Sequence, residues 1–239
     1  GLLSALRSQF PDVHMQAFTA VEIAHIAAVA SISIEECLTR LWEAGLGSLP
    51  GGGAEVFSSR VRGELCPQKL SADRWLDVMR TAHGLGIRSN CTMLYGHIER
   101  PDEIVDHLLR LRGLQDETRG FLAFIPLAFH PRNTALQGVA SGPTAYDDLR
   151  IIAVSRLLLD NVAHIKVFWI MVGLKLAQVA LGFGANDVDG TVVEERITHA
   201  AGAETPEALT VEELRRMIES AGRTPVQRDT LYQPVEEIA

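Results

Sequence analysis

Short apolar runs alternate with stretches of helical period along most of this chain. Val13–Thr19 reads as a strand and Ala20–Ala28 as a short helix. Ser33 and Glu36 form a capping box for a helix that continues to Glu43 and stops at Gly45. Leu46–Pro50 is a short strand that leads into Gly51-Gly52-Gly53. Behind an N-cap at Ser71, the residues Trp75, Val78, Met79 and Ala82 share one helical face, and Gly84 and Gly86 end that helix. A strand at Arg88–Leu94 and a helix with Pro101 in its first turn follow. The nearly continuous apolar run Gly120–Ala128 suits a strand buried on both faces. A helix near Tyr146–Leu159, a strand at His164–Ile170, a helix from Leu174 to Leu181 and a short strand at Ala185–Val188 complete the series.

Strands that alternate with helices of this length predict parallel βαβ units. No GxGxxG follows a strand, whereas polar residues follow nearly every one, as they do around a barrel mouth. The expected fold is therefore α/β, an incomplete (β/α) TIM-type barrel of about six βα units with a C-terminal helical extension. Because a closed barrel takes eight strands, and because Leu2–Phe10 reads as the end of a helix, at least two βα units are expected upstream of Gly1. Residues 1–196 are assigned to the partial barrel and 197–239 to a helical cap and tail. In that tail Thr205-Pro206 and a capping box from Thr210 to Glu213 start helices carrying Leu214, Met217 and Ile218, and Arg223–Ala239 is expected to trail loosely.

Composition narrows the classes of function. The 239 residues hold 22 basic and 30 acidic side chains, a net charge of −8, with a pI of about 5.5. That balance argues against a nucleic-acid surface. No uncharged apolar run approaches bilayer length, so no membrane span is expected. The N-terminus lacks a signal-peptide pattern, and a cytoplasmic location is expected. Cys37, Cys66 and Cys91 are odd in number and form no CxxC, which predicts reduced, buried thiols. Trp42 and Trp75 are assigned to the core.

If the strands run parallel, the loops at their carboxyl ends share one cavity. Those loops hold Thr19 and Glu22, Gly51–Glu55, Tyr95–Glu99, His130–Thr134, Trp169–Gly173 and Asn186–Glu195. Each has a plainer alternative. The glycines serve a turn, His97 and His130 serve structure, Asp187 and Asp189 cap or solvate a loop, and Glu194 and Glu195 serve a helix N-terminus. His25, His83, His107 and His199 fall on helices and read as surface or packing residues.

Taken in order, SLPGGGAEVF (Ser48–Phe57), TMLYGHIE (Thr92–Glu99), LRGLQDET (Leu111–Thr118), FIPLAFHPRNT (Phe124–Thr134) and GANDVDGTVVEE (Gly184–Glu195) resemble the aminofutalosine synthase family of radical S-adenosylmethionine enzymes. The resemblance runs through RDTLY (Arg228–Tyr232). Sister families, dehypoxanthine futalosine cyclase and the FO synthase subunit, share versions of these strings, and IPLAFHP favours the synthase. The resemblance implies a [4Fe–4S] cluster held by a CxxxCxxC motif, bound S-adenosylmethionine, and an electron donor such as flavodoxin or ferredoxin. The implied reaction adds the 5′-deoxyadenosyl radical to 3-[(1-carboxyvinyl)oxy]benzoate with loss of bicarbonate, giving 6-amino-6-deoxyfutalosine for menaquinone biosynthesis. No CxxxCxxC is present in this sequence, and the three cysteines have the wrong spacing to replace it. The chain thus looks like the C-terminal two-thirds of such an enzyme, expected to be inactive alone.

On that resemblance Gly51, Gly52, Gly53, Glu55, Tyr95, Gly96 and Ile98 are expected to bind the cofactor, with Tyr95, Gly96 and Ile98 against the adenine. His97, His130 and Asp187 are the expected catalytic residues, and Asn133, Thr134, Asn186 and Thr191 the expected substrate contacts. Two other classes compete. A metal-dependent barrel hydrolase would use His97, His130 and Asp187 as ligands, but no HxH pair and no lysine at a central strand tip support it. A non-enzymatic fragment would be an open barrel with two unpaired strand edges.

Overall fold

The computed structural model describes residues 1–134, 136–192, 200 and 208–235. Its helices are α1 (Leu2–Gln9), α2 (Ala20–Ala30), α3 (Ile34–Glu43), α4 (Ser59–Leu65), α5 (Ala72–Gly84), α6 (Pro101–Thr118), α7 (Ala145–Leu158), α8 (Trp169–Val172), α9 (Leu174–Ala180) and α10 (Val211–Ser220). The strands are β1 (Ser48–Leu49), β2 (Arg88–Tyr95), β3 (Phe121–Ala128), β4 (His164–Val167) and β5 (Asp187–Val188). All neighbouring strands pair parallel, in the order β1-β2-β3-β4-β5. Parallel strands require crossovers, and the intervening helices supply them.

The helix starts are chemically marked. Thr19, Ser33, Ser58, Ser71, Thr144 and Thr210 each accept a hydrogen bond from a backbone N–H in the first turn of the helix that follows. Each such cap contributes about 1 kcal/mol. The core then forms between these helices and the sheet, with Trp75, Phe121, Phe124, Ile165 and Trp169 all at most 1% exposed.

Several expectations need correction. The described sheet has five strands rather than six, because Val13–Thr19 contributes only a single parallel bridge, Gln16 to Ser48. Its partner β1 is two residues long and offers no longer ladder. The run His164–Ile170 splits, with β4 ending at Val167 and Trp169 opening α8. An apolar run does not by itself distinguish a buried strand from a buried helix. Helix α4 was not anticipated; it is only 7 residues long and contains Gly63. Trp42 is 46% exposed, whereas its neighbours Cys37 and Leu38 on α3 are buried. All three cysteines are free and buried, as expected.

The tail is fixed rather than loose as far as residue 235. Asp229 and Gln233 are joined backbone to backbone, Val235 N–H donates to the Gln227 carbonyl, and Tyr232 is buried against Leu122 and Ala123. Thr205-Pro206, Glu194, Glu195, His199 and the boundary near residue 196 lie outside the described residues. Among the described residues no helix is long and apolar enough to cross a membrane.

Candidate functional site

Parallel pairing in sequence order brings the loops after all five strands to one edge of the sheet. The first is clamped through its carbonyls. Gly51 O accepts from Thr92 Oγ1 at 2.9 Å, Gly52 O from the Trp75 indole at 3.0 Å, Ala54 O from the buried Arg62 guanidinium at 2.5 Å, and Glu55 O from Leu94 N–H at 3.0 Å. Gly51 has to be glycine, because a Cβ there would sit 2.2 Å from the Asn90 carbonyl oxygen, at a φ of +81°. The glycines therefore let this loop approach β2 and the segment around Thr19 and Val21. Glu55 takes a left-handed φ of +49°, and its half-buried carboxylate pairs with Lys69 at 2.6 Å.

The loop after β2 is a cage closed on itself. His97 Nε2 donates to the Leu94 carbonyl at 2.9 Å, while Nδ1 lies 2.8 Å from Glu99 and 2.7 Å from the Ile98 N–H. Glu99 also accepts from the N–H groups of Gly96 and His97. Burial would raise the Glu99 carboxyl, but the bonds from His97 and Gly96 outweigh it and hold the group below its ordinary range. Tyr95, the last residue of β2, points toward the helices and donates its hydroxyl to Asp148 of α7 at 2.7 Å. The loops touch in sequence: Phe129 N–H donates to the Tyr95 carbonyl, His130 Nε2 to the Met171 carbonyl at 3.1 Å, and the Trp169 indole to the Gly190 carbonyl at 3.1 Å.

Because Tyr95 faces the helices, strand alternation turns Thr92 and Leu94 to the opposite face. The register then aligns Thr92, Ile125, Lys166 and Asp187 in one row, and Leu94 and Leu127 in the row nearer the carboxyl edge. Leu94, Ile125 and Leu127 are half-buried, an apolar surface left open. Beside them sits a charged cluster. Arg228 from the tail grips Asp187 through two bonds, Nε to Oδ2 at 2.5 Å and Nη2 to Oδ1 at 2.9 Å, and stacks 3.9 Å from the Tyr232 ring. Lys166 reaches Asp189 at 2.9 Å and Asp187 at 3.8 Å. Burial alone would lower the Lys166 ammonium, but Asp189, Tyr232 and Asp187 hold it above its ordinary value.

Against this geometry the predicted residues divide. Gly51–Glu55, Gly96, His97, Ile98, His130, Asn133, Thr134 and Thr191 lie on the carboxyl-edge loops, whereas Tyr95 ends β2 with its side chain turned to the helices. Asn186 is not on these loops either. It stands at the start of β5, where its amide bonds the Ile165 N–H, the Ala163 carbonyl and Arg156. Asp187 lies in the row below the edge with both oxygens on Arg228, and His97 is enclosed. The exposed Asn133 donates to the Ala200 carbonyl, and the half-buried Thr134 to the Pro131 carbonyl. Sequence reading missed Arg62, Asp148, Lys166, Arg228 and Tyr232. Of these only Arg228 and Tyr232 stood in a noted string, RDTLY.

The three cysteines do not fit an iron–sulfur cluster. Cys37 and Cys91 donate their thiols to backbone carbonyls of Ile23 and Ala123, and burial pushes all three thiols up, away from the thiolate a metal needs. Among the described residues no three His, Cys, Asp or Glu side chains are placed to hold a metal ion, so the His97–His130–Asp187 ligand set is not assembled. For a bound nucleoside, the members of the expected set still open at the edge are Gly52, Gly53, Glu55, Gly96 and Ile98.

This parallel α/β layer with its crowded carboxyl edge defines a class, and the chain belongs to the CofH/MqnC family: residues 118–239 match the CofH/MqnC C-terminal region. It is 53% identical over 237 residues to the aminodeoxyfutalosine synthase of Thermus thermophilus, covering 98% of this chain and 64% of that protein. It is 44% identical over 239 residues to the 5-amino-6-(D-ribitylamino)uracil–L-tyrosine 4-hydroxyphenyl transferase of Methanopyrus kandleri, covering 98% of this chain and 65% of that protein. The chain thus spans a little under two-thirds of these relatives. Its fold is similar to that of methylornithine synthase (PylB), with a TM-score of 0.62 at 20% identity over 82% of this chain and 57% of that one. It is also similar to HydG, a maturase of the [FeFe]-hydrogenase, with a TM-score of 0.61 at 17% identity over 92% of this chain and 45% of that one.

Proposed function

We propose that the chain is the substrate-side part of an aminofutalosine synthase, a radical S-adenosylmethionine transferase of menaquinone biosynthesis. The observation that carries the proposal is the 53% identity to the Thermus synthase across 98% of the chain, against 44% for the archaeal transferase. The whole enzyme joins the adenosyl group of S-adenosylmethionine to 3-[(1-carboxyvinyl)oxy]benzoate with loss of bicarbonate. Its iron–sulfur cluster and its electron donor, a flavodoxin or ferredoxin, lie outside the described side chains.

The residues here have three tasks in that reading. Leu94, Ile125 and Leu127 form a water-poor wall for the aryl ring, which keeps a reactive species from solvent. Glu55, Gly96 and Ile98 line the edge where the nucleoside lies, in a loop pair made rigid by the Arg62, Trp75 and His97–Glu99 bonds. His130 offers an unprotonated ring nitrogen, since Nε2 already donates to Met171 and burial lowers its basicity. His97 and Asp187 act through position, by holding a loop and the tail.

The test is an assay of the complete enzyme that contains this chain. Turnover of 3-[(1-carboxyvinyl)oxy]benzoate to 6-amino-6-deoxyfutalosine is expected. Turnover only of 5-amino-6-(D-ribitylamino)uracil with L-tyrosine would replace this reading with that of the archaeal relative.

A further inference from the structure

Between the carboxyl end of β3, the first turn of α7 and the α8–α9 corner lies a cavity of about 290 Å³. Phe129, Pro143, Met171 and Leu176 give it apolar walls, and its polar side chains are His130, Ser141 and Asp148. No lysine or arginine lines it. Asp148 is 6% exposed, and one carboxylate oxygen accepts the Tyr95 hydroxyl at 2.7 Å. No side chain among the described residues donates to its other oxygen, Oδ2. His130 uses its Nε2–H on the Met171 carbonyl, which leaves Nδ1 as an acceptor.

Acceptors without a cation repel anions and attract N–H donors. Burial pushes the Asp148 carboxyl up, the Tyr95 bond pulls the other way and the nearby Asp147 adds to the rise, so an N–H donor reaching Oδ2 would favour the charged form. The volume stands at the low end of small-molecule sites, enough for one ring and a substituent. We propose that this cavity binds a small planar group bearing N–H donors, an amide or amidinium on an apolar ring, with the Asp148 carboxylate as its acceptor and Tyr95 holding that carboxylate in place. The cavity shares His130 with the reaction proposed above, but the binding proposed here rests on Asp148 and Tyr95 and is read by ligand titration, independently of turnover.

Benzamidine, benzamide and benzoate are nearly the same shape and differ in what they present to Asp148. Calorimetric titration of the whole chain is expected to show benzamidine binding tightest, benzamide next, and benzoate weaker than benzamidine by about tenfold or more, the factor one charge-assisted hydrogen bond supplies. Asp148→Asn, checked for folding by thermal melting, should erase that preference. Leu176→Trp fills the cavity while leaving the Tyr95–Asp148 bond intact, and should abolish binding of benzamidine and benzamide alike. If Asp148→Asn does not fold, the ligand ranking and the filled cavity decide. Benzoate binding as tightly as benzamidine, benzamidine binding undiminished in Leu176→Trp, or no binding of any of the three overturns the proposal.

Discussion

The β2 end of the sheet and its β4–β5 end handle polar groups in opposite ways. Around β2 the partners are close in sequence or uncharged, apart from the Asp148 carboxylate that accepts the Tyr95 hydroxyl: His97 bonds Leu94, Ile98 and Glu99, His107 bonds the Thr92 carbonyl, and His83 bonds Ser89 and Thr118. Around β4 and β5 the partners are formal charges from distant segments, Lys166 with Asp189 and Asp187 with Arg228. The first arrangement shapes a loop. The second ties the C-terminal segment onto the sheet, and its members depend on one another for charge balance. A polar motif in a loop is therefore weaker evidence for chemistry than its composition suggests, whereas isolated charges far apart in the chain can form the more consequential site.

The largest break in that comparison comes from Arg228→Met. It leaves Asp187, whose side chain is 7% exposed, without its bidentate partner. A wholly uncompensated buried charge costs about 3–5 kcal/mol; Lys166, 3.8 Å from Asp187, remains as a weaker partner, so a cost near the lower end of that range is expected from urea unfolding. Adding Asp187→Asn should recover most of it, because the stranded charge is then gone. A cost under about 1 kcal/mol for the single variant would mean that the tail is not held by this pair.

Acid should strike the β2 end next. Burial lowers His83 to about 4 and His107 to about 3, from an ordinary 6.5. Below 6.5 the unfolded chain binds protons that the folded histidines refuse, so stability is complete above that value and falls as pH drops toward the folded values. Each histidine contributes at most about 1.4 kcal/mol per pH unit once well below 6.5, and about 1 kcal/mol over the interval from pH 6.5 to 5.5, where the unfolded ring is only partly protonated, so the pair contributes about 2 kcal/mol there. Unfolding free energies that stay level over that interval would show that these rings are protonated in the fold.

The contrast between the two ends also explains what the sequence made legible. Capping at Ser33, Ser71 and Thr210, the strand at Arg88, the apolar run of β3 and the shared carboxyl edge all depend on local period and local chemistry, and all appear in the structure. The weak bridge at Gln16 and the helix start at Trp169 depend on what lies opposite in space, which a one-dimensional pattern does not record. The same holds for the site. Gly51–Glu55, Tyr95–Glu99 and His130 could be placed because each follows a strand. Asp148 lies in a helix, and the Lys166–Asp187–Arg228 cluster spans residues 41 apart between its last two members. No period in the chain links these residues.

Smaller tests sharpen the β2 side. Glu99→Gln replaces a carboxylate that accepts two backbone N–H groups and faces His97 with an amide that has one oxygen. The expected cost is about 2 kcal/mol, with the loop 96–98 exchanging amide protons faster. If the cage is as local as its bonds indicate, that faster exchange should not spread to β5.

Last comes Thr144→Ala at the start of α7. The Thr144 hydroxyl accepts from the Asp147 N–H, and Asp147 answers with bonds from the Thr144 backbone and hydroxyl, all of them exposed. Such a cap is worth about 1 kcal/mol, and Thr210→Ala on α10, with the same box, should cost the same. The comparison turns on Asp148, one residue further along α7, whose bond to Tyr95 joins that helix to β2. Should Thr144→Ala cost about twice as much as Thr210→Ala, the excess measures coupling between the cap and the Tyr95–Asp148 bond. Equal costs would show that the helix end frays without disturbing the cavity, and the two halves of the sheet would then be independent at their closest approach.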